Sequence, residues 1–290
     1  MEDRDTILKH LAERKLHGCE RTFANVYLWA RFYNEGWAEI EGTAVFRTGQ
    51  EGAYSYTYPI GAGDRKKVVE MLMEDAKEKG YPFQLHAVSK GEMEELESYF
   101  PGKFNVEWPR DLEDYVYETE KLINLSGKKY HGKKNHLNQF KATYPDWKYE
   151  TITDENVEEC FQMALSWRNH NGCEDDPEKN QEMCVALNSL RLFKELHLKG
   201  GLLRVNGKVV AYTLGEPVSD DTFVVHIEKA YADIRGAYTM INQQFLEHEV
   251  KDYTYVNREE DTGDEGLRTA KLSYRPVFMV EKGIVTLKGE

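Results

Sequence analysis

Thr222-Phe-Val-Val-His-Ile-Glu-Lys-Ala-Tyr231 leads through Ala232-Asp-Ile-Arg235 into Gly236-Ala-Tyr-Thr-Met-Ile-Asn-Gln-Gln-Phe-Leu246. The first ten residues are rich in β-branched and aromatic types and predict a long strand. Ile241, Phe245 and Leu246 recur at helical spacing, so the stretch after Gly236 predicts a helix. Strand, short loop, helix is the repeating unit of α/β folds. Such a junction can hold an anion, because the first-turn N–H groups are unpaired and the helix dipole adds partial positive charge. Arg235 supplies a cation, Gly236 lets backbone approach a ligand, and Ala237 and Tyr238 open the helix. Arg235 to Tyr238 is therefore a candidate cofactor-binding turn. A glycine kept for helix packing leaves the same trace, and spacing does not separate the two.

Working outward, Leu202–Val205 and Val209–Leu214 read as strands flanking Asn206-Gly207, a strong hairpin signal. Before them, Trp147 to Thr153 predicts a strand, and Thr153 or Asp154 caps an amphipathic helix with Val157, Phe161, Ala164 and Leu165. A second helix is expected over 181–198, ending at Gly200-Gly201. After the opening stretch come a strand at 253–257, a short helix at 265–274 and a closing hairpin at 276–287 that turns at Gly283. The first half shows a similar order. A helix at 22–32 precedes three short strands at 37–42, 43–48 and 53–58. Asp64 then caps a helix with Val69, Leu72, Met73 and Ala76 on one face, stopped by Gly80. A strand at 83–88 follows, and Ser89 with Glu92 forms a capping box for a helix ending at Pro101. The halves share no visible sequence similarity, yet their order of elements suggests two copies of one α/β unit. The expected organisation is a domain over 1–125, a basic helical connector over 126–146 and a domain over 147–290, with mixed sheets flanked by helices in the α/β or α+β class.

The chain has 290 residues, with 38 Lys and Arg against 51 Asp and Glu, and a net charge of −13. That balance excludes a general nucleic-acid binder, DNA included, since phosphate would be repelled. No apolar run nears the roughly 18 residues that span a bilayer, so no integral membrane segment is expected. The start, Met1-Glu-Asp-Arg-Asp-Thr6, is too acidic for a signal peptide. Cys19, Cys160, Cys173 and Cys184 form no CxxC, so no metal site is expected and a reducing cytoplasm fits best. The sharpest composition shift is at the connector. Lys128, Lys129, Lys133, Lys134 and Lys141 lie in a stretch, 122–145, that holds no acid. With Asn135 they offer a docking surface for a polyanion such as tRNA or the phosphates of coenzyme A. A helix salt-bridged to the acidic remainder is the alternative.

One more cluster stands out, running from Asn257-Arg258-Glu259-Glu260-Asp261 through Gly266-Leu-Arg268 and Lys271 to Ser273-Tyr274 before Pro276. Asn257 and Arg258 close an apolar strand, where open α/β sheets gather ligand groups. Lys271 and Tyr274 are three apart and share a helix face. A solvated acidic loop and surface helix would read alike.

The order of elements from Trp147 to Leu287 resembles the GNAT acyltransferase fold. The Asn257–Pro276 string, with Phe23-Ala-Asn-Val-Tyr-Leu-Trp29 and Tyr58-Pro-Ile-Gly61, resembles the phosphatidylglycerol lysyltransferase C-terminal domain family. That resemblance covers almost the whole chain. It implies two fused GNAT-like acyltransferase domains, related in fold to the Fem-type aminoacyltransferases. It also implies roles. Glu228 sits where GNAT enzymes often place a general base, and Tyr274 resembles the tyrosine that protonates the leaving group. Arg258 and Lys271 would hold a substrate anion or the tetrahedral oxyanion, with Asn257, Glu260 and Arg268 as further substrate-binding residues. The pyrophosphate turn departs from the family pattern, with Asp233 first and Tyr238 last, which weighs against ordinary acetyl-CoA. No upstream membrane domain is seen, which weighs against a phospholipid acceptor. The expectation is a bacterial acyl- or aminoacyltransferase using a CoA thioester or aminoacyl-tRNA, with an amine or hydroxyl acceptor. A classical acetyl-CoA N-acetyltransferase and a catalytically silent binding module of the same fold remain as alternatives.

Overall fold

The computed structural model describes residues 1–13 and 16–289. In chain order the helices and strands of the first part are α1 (Arg4–Leu11), α2 (Phe23–Tyr33), β1 (Gly36–Ile40), β2 (Thr43–Gln50), β3 (Ala53–Thr57), α3 (Arg65–Lys79), β4 (Gln84–Val88), α4 (Lys90–Tyr99) and β5 (Phe104–Glu107). Then follow β6 (Asp114–Glu118), α5 (Thr119–Asn124), α6 (His131–Thr143), β7 (Lys148–Thr151), α7 (Val157–His170), α8 (Pro177–Arg191), β8 (Lys199–Val205) and β9 (Lys208–Pro217). The chain ends with β10 (Thr222–Ala230), α9 (Ala237–Phe245), β11 (Tyr255–Asn257), α10 (Glu265–Leu272), β12 (Phe278–Val280) and β13 (Gly283–Leu287).

These elements form two compact units. The first comprises residues 1–114, 260–268 and 279–290, the second residues 115–259 and 269–278. Neither boundary coincides with the expected cuts at 125 and 146, and both units are discontinuous in sequence. The reason lies in strand pairing. The closing hairpin expected at 276–287 does not form, because its two strands join different sheets. β13 pairs antiparallel with both β4 and β5, and β12 lies beside β6. Sequence reading also passed over β5 and β6, which are only four and five residues long.

The first unit holds a six-stranded sheet in the order β1-β2-β3-β4-β13-β5. Its core joins Val68, Val69, Leu72 and Ala76 of α3 to Tyr56, Leu85, Val88 and Leu96, and closes on Val285 of β13. The local stop and start signals act as expected here. Asp64 accepts the Lys67 N–H at 3.0 Å, Gly80 ends α3 in the left-handed region, and Ser89 with Glu92 completes the capping box.

In the second unit the sheet order is β12-β6-β11-β10-β9-β8-β7. β8 and β9 are joined at Asn206 and Gly207, both with positive φ, as a tight primed turn requires. β10 and β11 run parallel, with α9 between them in the chain. Every residue of α9 except Tyr238 is buried, so this helix is covered on all sides rather than along one stripe. Helix α6 packs against it, burying Leu137 and Phe140. The basic connector is thus helical but belongs to the second unit rather than linking two others. Two helix ends differ from expectation. α7 starts after Asn156, whose Oδ1 accepts the Thr153 N–H at 2.8 Å, so neither Thr153 nor Asp154 is the cap. α8 starts earlier, capped by Asp176, and ends at Arg191, while Gly200 and Gly201 lie inside β8.

Candidate active site

Strand β10 presents His226 and Glu228 two residues apart. A register shift against β9 between Val225 and Ile227 leaves His226 at a bulge, and bulges commonly re-aim a side chain near a site. The Glu228 carboxylate is engaged at both oxygens. One accepts Arg258 Nη2 at 2.9 Å and the other accepts Asn242 Nδ2 of α9 at 3.1 Å. Arg258 follows directly on β11, whose parallel register with β10 (Val224 opposite Asn257) brings it to Glu228.

Tyr274 completes the group. It is buried, and its hydroxyl donates to Thr239 Oγ1 at 3.4 Å. The Arg258 guanidinium carbon lies 4.9 Å from the Tyr274 ring centroid, and the Lys133 Nζ of α6 lies 3.8 Å from the same centroid. Tyr117 of β6 meets the ring edge-on at 6.4 Å. Burial raises the Tyr274 phenol above its usual range, with Arg258 opposing, so it keeps its proton at neutral pH. Burial lowers the Lys133 ammonium to about 8, helped by the like charge of Arg258 and opposed by Glu228.

Around this group the loop after β11 is tied down. The Asn257 side-chain oxygen accepts the Glu259 N–H at 2.6 Å, and Glu259 has a φ of 58°. Lys271 Nζ donates to the Arg258 and Glu259 carbonyls at 2.7 and 3.0 Å. Lys271 is therefore a tether for the loop that carries Arg258, with its ammonium spent on backbone. Glu259 also binds His226 Nδ1 at 2.7 Å, while Glu216 binds Nε2 at 3.2 Å. Burial disfavours a charged His226 ring, but the two carboxylates outweigh it and raise its pKa to about 10.

Of the residues singled out in the sequence, Glu228, Arg258 and Tyr274 meet in the second unit, and Lys133 joins them from the basic stretch. Glu260 and Arg268 belong to the first unit and have other partners. Arg268 binds Asp261 at 2.8 Å and Asp111 at 2.6 Å. Glu260 enters a buried cluster in which Lys282 Nζ lies 2.7 Å from Asp114, 2.5 Å from Glu20, 3.1 Å from Glu260 and 3.4 Å from Cys19 Sγ. Cys19, Asp114 and Glu260 approach one another closely enough for metal ligation, but the Lys282 ammonium already stands among them. Burial works to raise Glu260, and Lys282 more than reverses it, holding the carboxyl below its usual range.

At the expected cofactor turn the glycine lies against α6. Gly236 has a φ of 88°, and a Cβ there would lie 2.7 Å from the His136 carbonyl oxygen and 3.1 Å from Phe140 Cβ. Its open face thus admits the backbone of α6. Arg235 is exposed, Ala237 is buried and Tyr238 is 39 % exposed. Lys128, Lys129, Lys134 and Asn135 are exposed, as a docking surface requires. Thr239, Asn242, Tyr117 and His226 were missed from sequence. The three-residue step from Thr239 to Asn242, on the helix after the glycine turn, was the available signal.

Two mixed sheets flanked by helices put the chain in the α/β class, with two compact units. Residues 11–285 match the family described as phosphatidylglycerol lysyltransferase, C-terminal, and the chain belongs to that family. A solved structure of a conserved protein of unknown function from Bacteroides thetaiotaomicron is 39 % identical, with a TM-score of 0.93 over 99 % of this chain and 97 % of that one. A C-terminal domain (DUF2156) from Agrobacterium fabrum, described as that of a lysylphosphatidylglycerol synthetase, is 14 % identical. It shares the fold, with a TM-score of 0.70 over 99 % of this chain and 91 % of that one. A protein from Mycoplasmoides gallisepticum, MYCGA3080, is 26 % identical over 175 residues, which span 59 % of this chain and 55 % of that relative's length. Among the described residues no helix is long and apolar enough to cross a membrane.

Proposed function

We propose that this chain is an aminoacyl- or acyltransferase that moves its group in one direct step to an amine or hydroxyl acceptor. The observation that carries this reading is the convergence of Glu228, Arg258, Tyr274 and Thr239 in one buried cluster. The acceptor attacks the carbonyl carbon and forms the new C–N or C–O bond. The bond to the donor's oxygen or sulfur breaks, and the Tyr274 phenol supplies the proton that the departing atom takes up. Arg258 favours the negative charge that builds on the carbonyl oxygen, and Glu228 and Lys271 hold Arg258 in place. Orientation of two bound reactants does the rest, so no covalent enzyme intermediate is needed.

Two features favour aminoacyl-tRNA over a CoA thioester as donor. The His136 carbonyl oxygen lies close to Gly236, and its negative end disfavours a pyrophosphate beside it. The exposed lysines of α6 and the turn before it offer phosphate contacts in an otherwise acidic chain. The family description names phosphatidylglycerol and lysine, and lysyl transfer to a lipid hydroxyl is one member of this reaction class.

The test pairs labelled lysyl-tRNA and acetyl-CoA as donors, each with and without phosphatidylglycerol vesicles, and follows donor loss and label transfer. Wild type should consume lysyl-tRNA, with loss of binding as salt rises, and Tyr274→Phe should slow transfer by about 10²- to 10⁴-fold. Consumption of acetyl-CoA alone would move the reading to a CoA enzyme. A protein that binds donor but never turns it over would be a silent binding module, a reading favoured by the occupation of both Glu228 oxygens.

A further inference from the structure

Direct transfer needs a group that accepts the proton released by the attacking amine or hydroxyl. In this cluster Glu228 has both oxygens committed to Arg258 and Asn242. Tyr274 is a protonated donor to Thr239. Lys271 gives its hydrogens to two carbonyls. His226 is clamped at both ring nitrogens by Glu216 and Glu259, so neither nitrogen is open to take a proton. The Tyr117 phenol keeps its proton and donates to the Lys271 carbonyl at 2.9 Å, so among the described residues of the cluster one titratable side chain remains. Lys133 reaches in from α6 to stand 3.8 Å over the Tyr274 ring, and among the described residues it has no hydrogen-bond acceptor.

We infer that Lys133 is the proton acceptor of this site, working as a neutral amine against the acceptor substrate. The inference rests on the transfer reading above and assigns one step of it. The amine lone pair takes the proton from the attacking N–H or O–H as the new bond to carbon forms, giving the ammonium. On the other side of the reaction Tyr274 protonates the leaving atom. The ammonium then returns a proton to the phenolate through the cluster or solvent, so charge and protons balance over a turnover.

The surroundings suit that task. Arg258, after β11, repels the ammonium form, and Glu228 of β10 opposes that effect. Tyr274, after α10, lies beneath the amine with its proton in place. Tyr117 of β6 lies at the far side of the ring and is likewise held protonated by burial. With the Lys133 ammonium at about 8, about a quarter of the amine is unprotonated near pH 7.5, against about one part in a thousand for an ordinary lysine. The same residue in a solvated helix would be a phosphate contact and nothing more. Its neighbours Lys128, Lys129 and Lys134 are exposed, whereas Lys133 is turned in.

Two measurements test this, one independent of turnover. Competitive labelling of the whole protein with acetic anhydride, with N-acetyllysine amide in the same tube, reads the titration of each lysine by peptide mapping. The Lys133 peptide should be labelled with a midpoint roughly two pH units below the free compound. A midpoint equal to that of the free compound overturns the proposal without touching the transfer reading. In the lysyl-tRNA assay, Lys133→Arg keeps the cation over Tyr274 but cannot take a proton. It should lower kcat by about 10²-fold or more with little change in KM, and remove the limb of the pH profile that rises near pH 8. An unchanged pH profile in Lys133→Arg overturns the assignment while leaving the transferase intact. Absence of transfer by wild type from either donor overturns both.

Discussion

His226 illustrates how much one side chain can reveal about the loop it holds. It is 6 % exposed and lies between Glu216 and Glu259, so folding transfers a charged ring into the interior only because two carboxylates meet it. Its folded pKa of about 10 lies above the ordinary histidine value. The stabilisation is therefore complete below about pH 6.5 and fades as pH rises through about 10. His226→Gln should lower stability by the order of 3 kcal/mol near pH 6, with the gap to wild type closing by pH 10. Denaturant melts of both proteins at several pH values check this, and a gap that widens with pH would refute the clamp. Nothing in the local sequence announced it. Glu216 and Glu259 are 10 and 33 positions from His226, and the bulge that aims the ring arises only from pairing with β9. Glu228, Arg258 and Tyr274 were legible because they lie in recognisable strings. Lys133 was visible only as one lysine among five, since which lysine of a helix turns inward depends on what packs against it.

At the level of elements, legibility followed the range of the interactions. Caps and tight turns were readable because Asp64, Ser89, Glu92, Asn206 and Gly207 make their decisive contacts within a few residues. The closing strands were not, because β12 and β13 each find partners more than 100 residues away. The turn before α9 was read as an anion site, and the chemistry invoked was sound. A helix N-terminus behind glycine does attract anions, but a bare glycine also lets another backbone come close, and here that of α6 does. Gly236→Ala tests that contact. At a φ of 88° alanine costs about 1 kcal/mol, and its Cβ would force α6 off α9, adding a similar amount. A fall of several degrees in thermal midpoint is expected, together with lost protection of the α6 amides in hydrogen exchange. Unchanged α6 protection would mean that the glycine serves something other than this contact.

Across the whole molecule, the chain passes from one unit to the other at 114–115, 259–260, 268–269 and 278–279. The two units therefore cannot be separated by a single cut. β13 fills the place between β4 and β5, and Val285 is fully buried in the first unit's core. Deleting residues 281–290 removes that strand and also Lys282, leaving Asp114 and Glu260 without their cation. The shortened chain should lose cooperative unfolding of the first unit and be cleaved rapidly within residues 36–107 in limited proteolysis. Retention of the wild-type midpoint would show that the strand is dispensable. The order of elements pointed to two α/β units, and two compact units form. The interleaving could not be read, because it is decided by which of several similar strands closes a gap.

That closing strand also sets a timetable. Translation delivers the amino-terminal residues first. β1 to β5 leave the ribosome with an unfilled slot, and β13, which fills it, follows only after all the other strands have been made. Until then the nascent chain carries two open strand edges, on β4 and β5, beside an incomplete apolar core. Such edges invite pairing with other chains. Those edges stay open until Gly283–Leu287 emerges, and a message truncated before that strand would yield a sticky product rather than a smaller working one.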